Sequence, residues 1–186
     1  MQIGKSRVNT LQADTFVRVY TNTLTADATS ITISGLAGNT DEIYMLRCKF
    51  VNGYAGGEST YYLRPNNDSS SSPYNYGRQV LLVYGGTTLA AVRADAVNYI
   101  FLGQIENENN VGYVETTLYA KSGYVRTGIS RLLDKTAGTT VGGLFFEGFS
   151  WNNTADEITS LVISTNQTDG IGAGSIIDLY KLVRKS

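Results

Sequence analysis

The residue types that most often carry catalysis are sparse in this chain, because its 186 residues include no histidine. Histidine is the usual general base and metal ligand near neutral pH, so Ser-His-Asp and Cys-His nucleophile systems and most zinc sites are excluded. Carboxylate pairs remain at Glu106 and Glu108 and at Asp156 and Glu157. Such pairs can serve glycoside hydrolysis, but these lie among polar neighbours typical of solvated loops. The sequence therefore predicts no catalytic residues and no enzyme activity.

Two further patterns have a chemical interpretation. Residues 170–174 read GIGAG, which has the glycine content of a nucleotide-binding loop. Such a loop opens a helix whose N-terminus holds the pyrophosphate, whereas a β-rich run follows here, so a hairpin connection is predicted. Asn66, Asn67 and Asp68 offer oxygen ligands of the kind calcium takes, but their spacing matches no ligand loop. We therefore expect no cofactor and no metal.

The single cysteine, Cys48, lies in an alternating apolar run. The alternation places it on the same strand face as Tyr44, Leu46 and Phe50. A buried thiol without a histidine partner is predicted to be unreactive. Because a lone cysteine allows no intrachain disulfide, we expect folding in a reducing cytosol.

Aromatic side chains beside amides are the remaining candidate binding groups. Tyr74 and Tyr76 lie in a predicted loop, and Trp151 precedes Asn152. Aromatic faces next to amide groups are one way in which proteins hold sugars or pack against other proteins. Tyr74, Tyr76, Trp151 and Asn152 are therefore candidate ligand-facing residues. The alternative is that they are ordinary strand aromatics with hydrated polar atoms.

Charge and hydropathy narrow the possible partners. The formal net charge is −1, from 15 basic and 16 acidic residues, so no basic field is available for a phosphate backbone and nucleic-acid binding is not expected. No apolar run approaches the roughly 20 residues of a membrane span, and the N-terminus lacks a signal-peptide pattern. Charged residues make up 17% of the chain, below the usual ~25%. Together with several apolar runs, this low charge indicates a surface partly covered by protein partners.

Hydrophobic alternation and turn residues predict an all-β fold, an antiparallel β-sandwich of jelly-roll-like form with an extended N-terminal segment. The predicted strands cover residues 16–20, 30–34, 43–51, 60–64, 78–84, 98–105, 113–120, 124–126, 141–151, 158–164 and 175–183. Residues 78–84 read as a strand buried on both faces, and residues 88–97 fit either a short helix or an extended connection. The side chains expected to face the sandwich interior are Leu46, Phe50, Leu82, Phe101, Val162 and Leu179.

Several stretches carry a resemblance to a known group of proteins. They are EITSLVIS at residues 157–164, the glycine-rich turn, and SIIDLYKL at residues 175–182, with ITISGL at 31–36, DEIYML at 41–46 and YYLRPNND at 61–68 in support. The chain from about residue 30 to residue 183 resembles small tailed-bacteriophage virion proteins of jelly-roll type. This group includes capsid decoration proteins, head fibres and tail or baseplate components. The resemblance implies a β-sandwich that works as a homo-oligomer on a virion, and it implies no catalytic residues.

The expected function follows from this resemblance and from the low charge. We expect a non-enzymatic capsid decoration, or cement, protein that stabilises the phage head through homo-oligomeric contacts. Its partners would be copies of itself, with a trimer favoured, and the major capsid protein or other virion proteins. It would reside in the virion after assembly in the host cytoplasm. The alternative is a tail, baseplate or fibre component that binds host-surface carbohydrate.

The domain organisation divides the chain at residue 28. Residues 29–186 form the predicted sandwich domain, and residues 1–28 form an N-terminal arm or an edge strand. Phe16, Val17, Val19 and Tyr20 make one apolar strand within this segment. Such a strand either attaches the domain to the virion or to a neighbouring subunit by joining an exposed sheet edge, or it is the first strand of its own sandwich.

Overall fold

A computed structural model of the chain describes residues 14–70, 75–84, 89–135, 138 and 140–184. The described part contains one helical turn, α1 (Gly38–Asp41), and no helix there is long and apolar enough to cross a membrane. All other regular structure is β-strand, which confirms the predicted fold class. The strands are β1 (Thr15–Thr23), β2 (Ser30–Ser34), β3 (Ile43–Val51), β4 (Ser59–Pro65), β5 (Tyr76–Tyr84), β6 (Ala90–Val97), β7 (Ile100–Ile105), β8 (Val111–Tyr119), β9 (Arg126–Lys135), β10 (Val141–Trp151), β11 (Ser160–Thr165) and β12 (Ile176–Val183).

The strands form two antiparallel sheets that pack as a sandwich. The large sheet has the order β1-β12-β3-β8-β9-β10-β5-β6, and the small sheet has the order β2-β11-β4-β7. Without the hairpins β5–β6 and β9–β10, eight strands remain, and the first of them pairs with the last, the second with the seventh, the third with the sixth and the fourth with the fifth. This nested pairing is the jelly-roll arrangement. Both added hairpins join the large sheet and extend it beyond the small one.

The hydrophobic core lies between the two sheets. Leu46, Phe50, Phe101 and Leu179 belong to it as predicted, and Leu82 is partly buried against it. The prediction that Val162 faces the sandwich interior is wrong: Val162 is buried, but its strand neighbours on both sides belong to the core cluster while Val162 does not. Successive strand residues point to opposite faces. Val162 is therefore covered on the outer face of the small sheet.

Two segments differ from the sequence pattern. The strand predicted at residues 124–126 begins only at Arg126 and continues to Lys135, while Tyr124 and Val125 lie exposed before it. The buried side of β9 carries Arg126, Ser130 and Asp134 beside Leu132, so polar residues interrupt the hydrophobic alternation and the pattern does not reveal the strand. Residues 90–97, which also fitted a helix, form β6 because they pair with β5 along its length.

The Cys48 thiol is buried in β3, as predicted. It shares the core cluster with Tyr44, Leu46 and Phe50. Burial raises the pKa of Cys48 well above its usual range, and the nearby Asp178 carboxylate acts in the same direction. The group is therefore held as a neutral thiol.

The N-terminal strand β1 lies at one edge of the large sheet of its own chain. It pairs with β12, with Phe16 opposite Leu182 and Tyr20 opposite Leu179. Residues 16–20 therefore form the first strand of their own sandwich, which is one of the two alternatives that the sequence predicts. Residues 1–13 lie outside the described part of the chain.

Candidate interaction surface

The outer face of the large sheet carries a cluster of half-exposed apolar side chains. Strand register places Leu81 of β5 opposite Phe146 of β10, and Leu144 of β10 opposite Leu133 of β9. Leu133 in turn lies opposite Tyr113 of β8. We define the outer apolar face by the side chains on this side of the sheet that are 41% to 54% exposed: Leu81, Tyr113, Ile129, Leu133, Leu144 and Phe146.

This exposure has a simple origin in β5 and β10. Both strands carry large apolar side chains on both faces, a composition typical of strands that are covered on both sides. The small sheet covers only the inner face, where Val80 and Phe145 are buried. The prediction that residues 78–84 are buried on both faces is therefore wrong for the single chain, because Leu81 on the outer face is 49% exposed. The sequence of these strands suits an assembly in which a partner molecule covers the outer face.

A shallow depression of about 540 Å³ adjoins the outer apolar face. Tyr113, Leu133, Leu144 and Ile176 supply much of its apolar lining. A row of charges crosses it along adjacent strands: Arg47 of β3 contacts Glu115 of β8 at 3.0 Å, and Arg131 of β9 contacts the same carboxylate.

The charged row keeps Glu115 ionised. Partial burial opposes ionisation, but the hydrogen bonds and charges of Arg131 and Arg47 outweigh it and lower the pKa of Glu115. The depression thus combines apolar walls with a fixed carboxylate between two arginines. Such mixed surfaces are usual at protein–protein interfaces, where aromatic residues and arginine are enriched.

Two carboxyl groups inside the sandwich have strongly shifted pKa values. Burial raises the pKa of Glu147 in β10 to about 8, although the Arg78 guanidinium and the Phe101 N–H oppose this. Burial likewise raises the pKa of Asp134 in β9 to about 6, although the hydrogen bond from the Glu106 N–H opposes this. Shifted pKa values of this kind also occur at active sites. Here both side chains are at most 1% exposed and face the sandwich interior, so they do not line a cleft that a substrate enters.

The ligand-facing role predicted for the loop aromatics is not supported by their positions. Tyr76 and Trp151 are strand residues at the ends of β5 and β10, and both are at most 1% exposed. Of the other two candidates, Asn152 is exposed directly after β10, and Tyr74 lies outside the described residues. A ring in a buried position cannot present its face to a sugar, so this prediction is wrong for Tyr76 and Trp151.

The two buried aromatics instead hold the loop after β4 in place. The Trp151 Nε1–H donates to Asp68 Oδ2 at 2.9 Å, and the Tyr76 hydroxyl donates to the Asp68 carbonyl at 2.8 Å. Partial burial of Asp68 raises its pKa, but hydrogen bonds from Ser70, Asn75 and Trp151 outweigh this and lower it to about 2. The Asp68 carboxylate is thus an anchor for the loop, with its oxygens already engaged. Among the described residues, no group of three His, Cys, Asp or Glu is placed to hold a metal.

The glycine-rich run is a tightly packed connection between β11 and β12. A Cβ on Gly172 would lie 3.0 Å from the Gly53 Cα, so the two backbones approach closely only because both residues are glycine. The Gly172 N–H donates to the Val51 carbonyl at 2.8 Å, and the Gly170 carbonyl accepts from the Gly53 N–H and the Tyr61 hydroxyl. These polar groups serve the fold. The predicted hairpin connection is wrong, because β11 belongs to the small sheet and β12 to the large sheet, so the run crosses from one sheet to the other.

Three of the four residues in the predicted carboxylate pairs make local hydrogen bonds. The Glu106 N–H donates to the Asp134 carboxylate at 3.3 Å, and Glu108 is exposed in the same β7–β8 loop. The Asp156 carboxylate accepts from Asn153, and the Glu157 carboxylate accepts from the Asn39 N–H at 3.1 Å. Both pairs lie in loops, the first between β7 and β8 and the second between β10 and β11, as the sequence predicted.

The strand Phe16–Tyr20 presents apolar side chains at the sheet edge. Phe16, Val17 and Val19 are 39% to 45% exposed, whereas Tyr20 packs against the core. A contact of these residues with the virion or with a neighbouring subunit stays a prediction.

The sequence patterns did not identify two exposed tyrosines, one at the end of β8 and one in the loop that follows it. Tyr119 and Tyr124 are 56% and 74% exposed and line a depression of about 390 Å³ together with Lys121 and Glu42. The Lys121 ammonium and the Glu42 carboxylate are 2.6 Å apart. The sequence pattern predicts a strand at position 124, whereas Tyr124 lies in the loop before β9.

Comparison with known proteins assigns no family. No protein-family model matches this chain, and no curated protein matches it. A candidate pore-forming toxin from Bacteroides vulgatus is 10% identical, with 88% of this chain and 61% of that chain covered and a TM-score of 0.13. The infectious bursal disease virus VP2 subviral particle is 11% identical, with 93% and 42% covered and a TM-score of 0.11. This chain thus spans less than two thirds of either protein, and similarity at this level carries no argument about fold or function.

Proposed function

We propose that this chain is a non-enzymatic structural protein of a bacteriophage virion. Within that class we favour a capsid decoration protein that stabilises the head through homo-oligomeric contacts, with a trimer as the unit. The observation that carries the proposal is the outer apolar face, six large side chains left half-exposed on one side of a jelly-roll sheet. The resemblance to phage virion proteins supplies the class of assembly.

The physical support is the cost of leaving such a face in water. Large contiguous apolar patches are rare on monomeric proteins and usually mark interaction sites. A symmetric oligomer covers the same patch on every subunit and then presents several equal contacts to the capsid at once. Avidity of this kind makes modest individual contacts long-lived. A cement protein needs this property, because it must remain bound while the capsid is under load.

A first prediction concerns assembly through the outer apolar face. Leu144→Glu is expected to convert the oligomer into a folded monomer, because each interface would then bury an unpaired carboxylate. Thr32→Glu is the matched control, since it adds the same charge at an exposed strand position of β2 in the small sheet, away from the outer apolar face. Light scattering at micromolar concentration measures the change. A wild-type protein that is already a stable monomer of 20.2 kDa would contradict the prediction.

A second prediction concerns location. Phage particles produced by the genome that encodes this chain should contain it, and an antibody against it should label the head in electron micrographs. Mass spectrometry of purified particles that finds no peptide of this chain would overturn the proposal. Label confined to the tail would instead support the alternative, a tail, baseplate or fibre component.

The alternative function now rests on different residues. The exposed Tyr119 and Tyr124 beside the Lys121–Glu42 pair give an aromatic and polar surface of the kind that binds carbohydrate. A glycan array would separate the two functions. Binding that Tyr124→Ala abolishes would support the host-surface role, and the absence of binding would favour the head.

A further inference from the structure

The strand β6 (Ala90–Val97) forms the second edge of the large sheet. It pairs with β5 on one side, and no strand of the described chain pairs with its other side. Most of its residues are exposed, and Val92 is 42% exposed. An exposed edge strand of small apolar residues is a template for pairing with another chain unless charges or bulges protect it. The opposite edge, β1, has a register shift between Arg18 and Tyr20, whereas the register shift of β6 lies near its C-terminal end at Ala96, after Arg93 and Asp95.

The two charges on β6 are opposite in sign and two residues apart. Arg93 and Asp95 point to the same side of the sheet and contact each other at 3.0 Å. In an antiparallel pair of two β6 strands related by a two-fold axis at residue 94, Arg93 of one copy lies directly opposite Asp95 of the other. Directly opposite side chains in such pairs have Cβ atoms about 4.5–5.5 Å apart, close enough for opposite charges to stabilise the pair. Four alternating charges would then flank the axis.

Other two-fold registers through these residues lack this complementarity. An axis at residue 93 would place two copies of Arg93 opposite each other, and an axis at residue 95 would do the same for Asp95. Like charges directly opposite each other destabilise a strand pair. At the favoured register the residue on the axis is Ala94, whose small side chain allows close approach.

We propose that two copies of this chain associate edge to edge through antiparallel pairing of their β6 strands, with the two-fold axis at Ala94. The proposal goes beyond the function proposed above, because it uses a sheet edge and not the outer apolar face. Joining the two large sheets would make one continuous sheet. The outer apolar faces of the two copies would then lie on the same side of the joined sheet.

A cysteine placed on the axis tests the register. Residues opposite each other in an antiparallel pair have Cα atoms about 4.5–5.5 Å apart, which is within the range of a disulfide. Ala94→Cys should therefore give a disulfide-linked dimer under mild oxidation. Val92→Cys is the matched control: two copies of position 92 would be about 13 Å apart along the pair and should not cross-link. The native Cys48 is buried and does not interfere.

Charge exchange tests the complementarity without a new covalent bond. Arg93→Asp places like charges opposite each other and should weaken dimerisation in sedimentation experiments by about tenfold or more. The double exchange Arg93→Asp with Asp95→Arg restores opposite signs and should restore dimerisation. These two charge variants also test the proposed register if Ala94→Cys fails to fold.

The outcomes are separable from those of the proposed function. Both tests are run in the wild type and in the Leu144→Glu background, in which assembly through the outer apolar face is disabled. Cross-linking at position 94 and not at 92, together with rescue by the double exchange, supports the β6 pair in either background. Cross-linking at both positions or at neither, or a double exchange that does not rescue, overturns it. The location of the protein on phage particles is unaffected by these results.

Discussion

Raising the pH from about 5 to about 8 is expected to destabilise the protein through Glu147, and Glu147→Gln should remove most of this effect. The pKa of Glu147 is about 8 in the folded state, compared with 4.5 for an unperturbed glutamate. Between these values the folded chain holds a proton that the unfolded chain has released, so the unfolding free energy falls as pH rises. The expected slope is about 1.4 kcal/mol per pH unit, with a total on the order of 4 kcal/mol.

The environment of Glu147 explains why its neutral form is preferred. The side chain is 1% exposed, and its Oε1 accepts one hydrogen bond of 3.3 Å from the Phe101 N–H. Its Oε2 has no donor in the described part of the chain. A buried carboxylate with so few partners is costly, whereas glutamine has nearly the same shape and no charge.

Urea denaturation across this pH range provides the measurement. Glu147→Gln should match the wild type near pH 5 and exceed it increasingly up to about pH 8, where the folded state also ionises. Glu108→Gln, which alters an exposed loop carboxylate, is the control and should run parallel to the wild type. Asp134→Asn should flatten only the lower part of the profile, because the pKa of Asp134 is about 6. Parallel curves for wild type and Glu147→Gln would show that the buried group is ionised throughout.

Leu179→Ala is expected to lower the unfolding free energy by about 2–5 kcal/mol. Leu179 is fully buried, and strand register places it between Leu46 of β3 and Tyr20 of β1. Removing its side chain leaves a cavity in the middle of the jelly-roll core, where the surrounding sheets hold their positions. The loss therefore combines the transfer free energy of the missing atoms with the cavity term.

Leu82→Ala serves as the comparison at the other end of the same sheet. Leu82 is only partly buried, whereas Val80 on the same face of β5 is 2% exposed. We expect Leu82→Ala to lower the unfolding free energy by about half as much as Leu179→Ala, or less. Chemical denaturation midpoints for the two variants give the test. Equal losses would mean that the small sheet, or a partner, covers the β5 end as fully as the centre.

Local pattern alone predicted several strands to their ends. Residues 30–34, 43–51 and 141–151 form strands with the predicted bounds. Clean alternation and flanking turn residues define such strands without knowledge of their partners. Most of β9 was not predicted, because polar side chains lie on its buried face. Only the contacts between the two sheets show that these side chains are buried. Residues 90–97 became a strand through pairing with β5, which local composition does not encode.

The sequence by itself determined the all-β class, the lack of histidine chemistry, the burial of Cys48 and most of the core. These depend on composition and on period-two alternation, which are local properties. Tertiary structure alone decided which apolar faces are covered. Trp151 and Tyr76 are buried because β10 and β5 bring them over Asp68, whereas Leu81 and Phe146 are exposed because they lie on the outer face of the large sheet, which the small sheet does not cover. Coverage depends on pairings between distant segments, such as β1 with β12, and alternation along one strand carries no information about them.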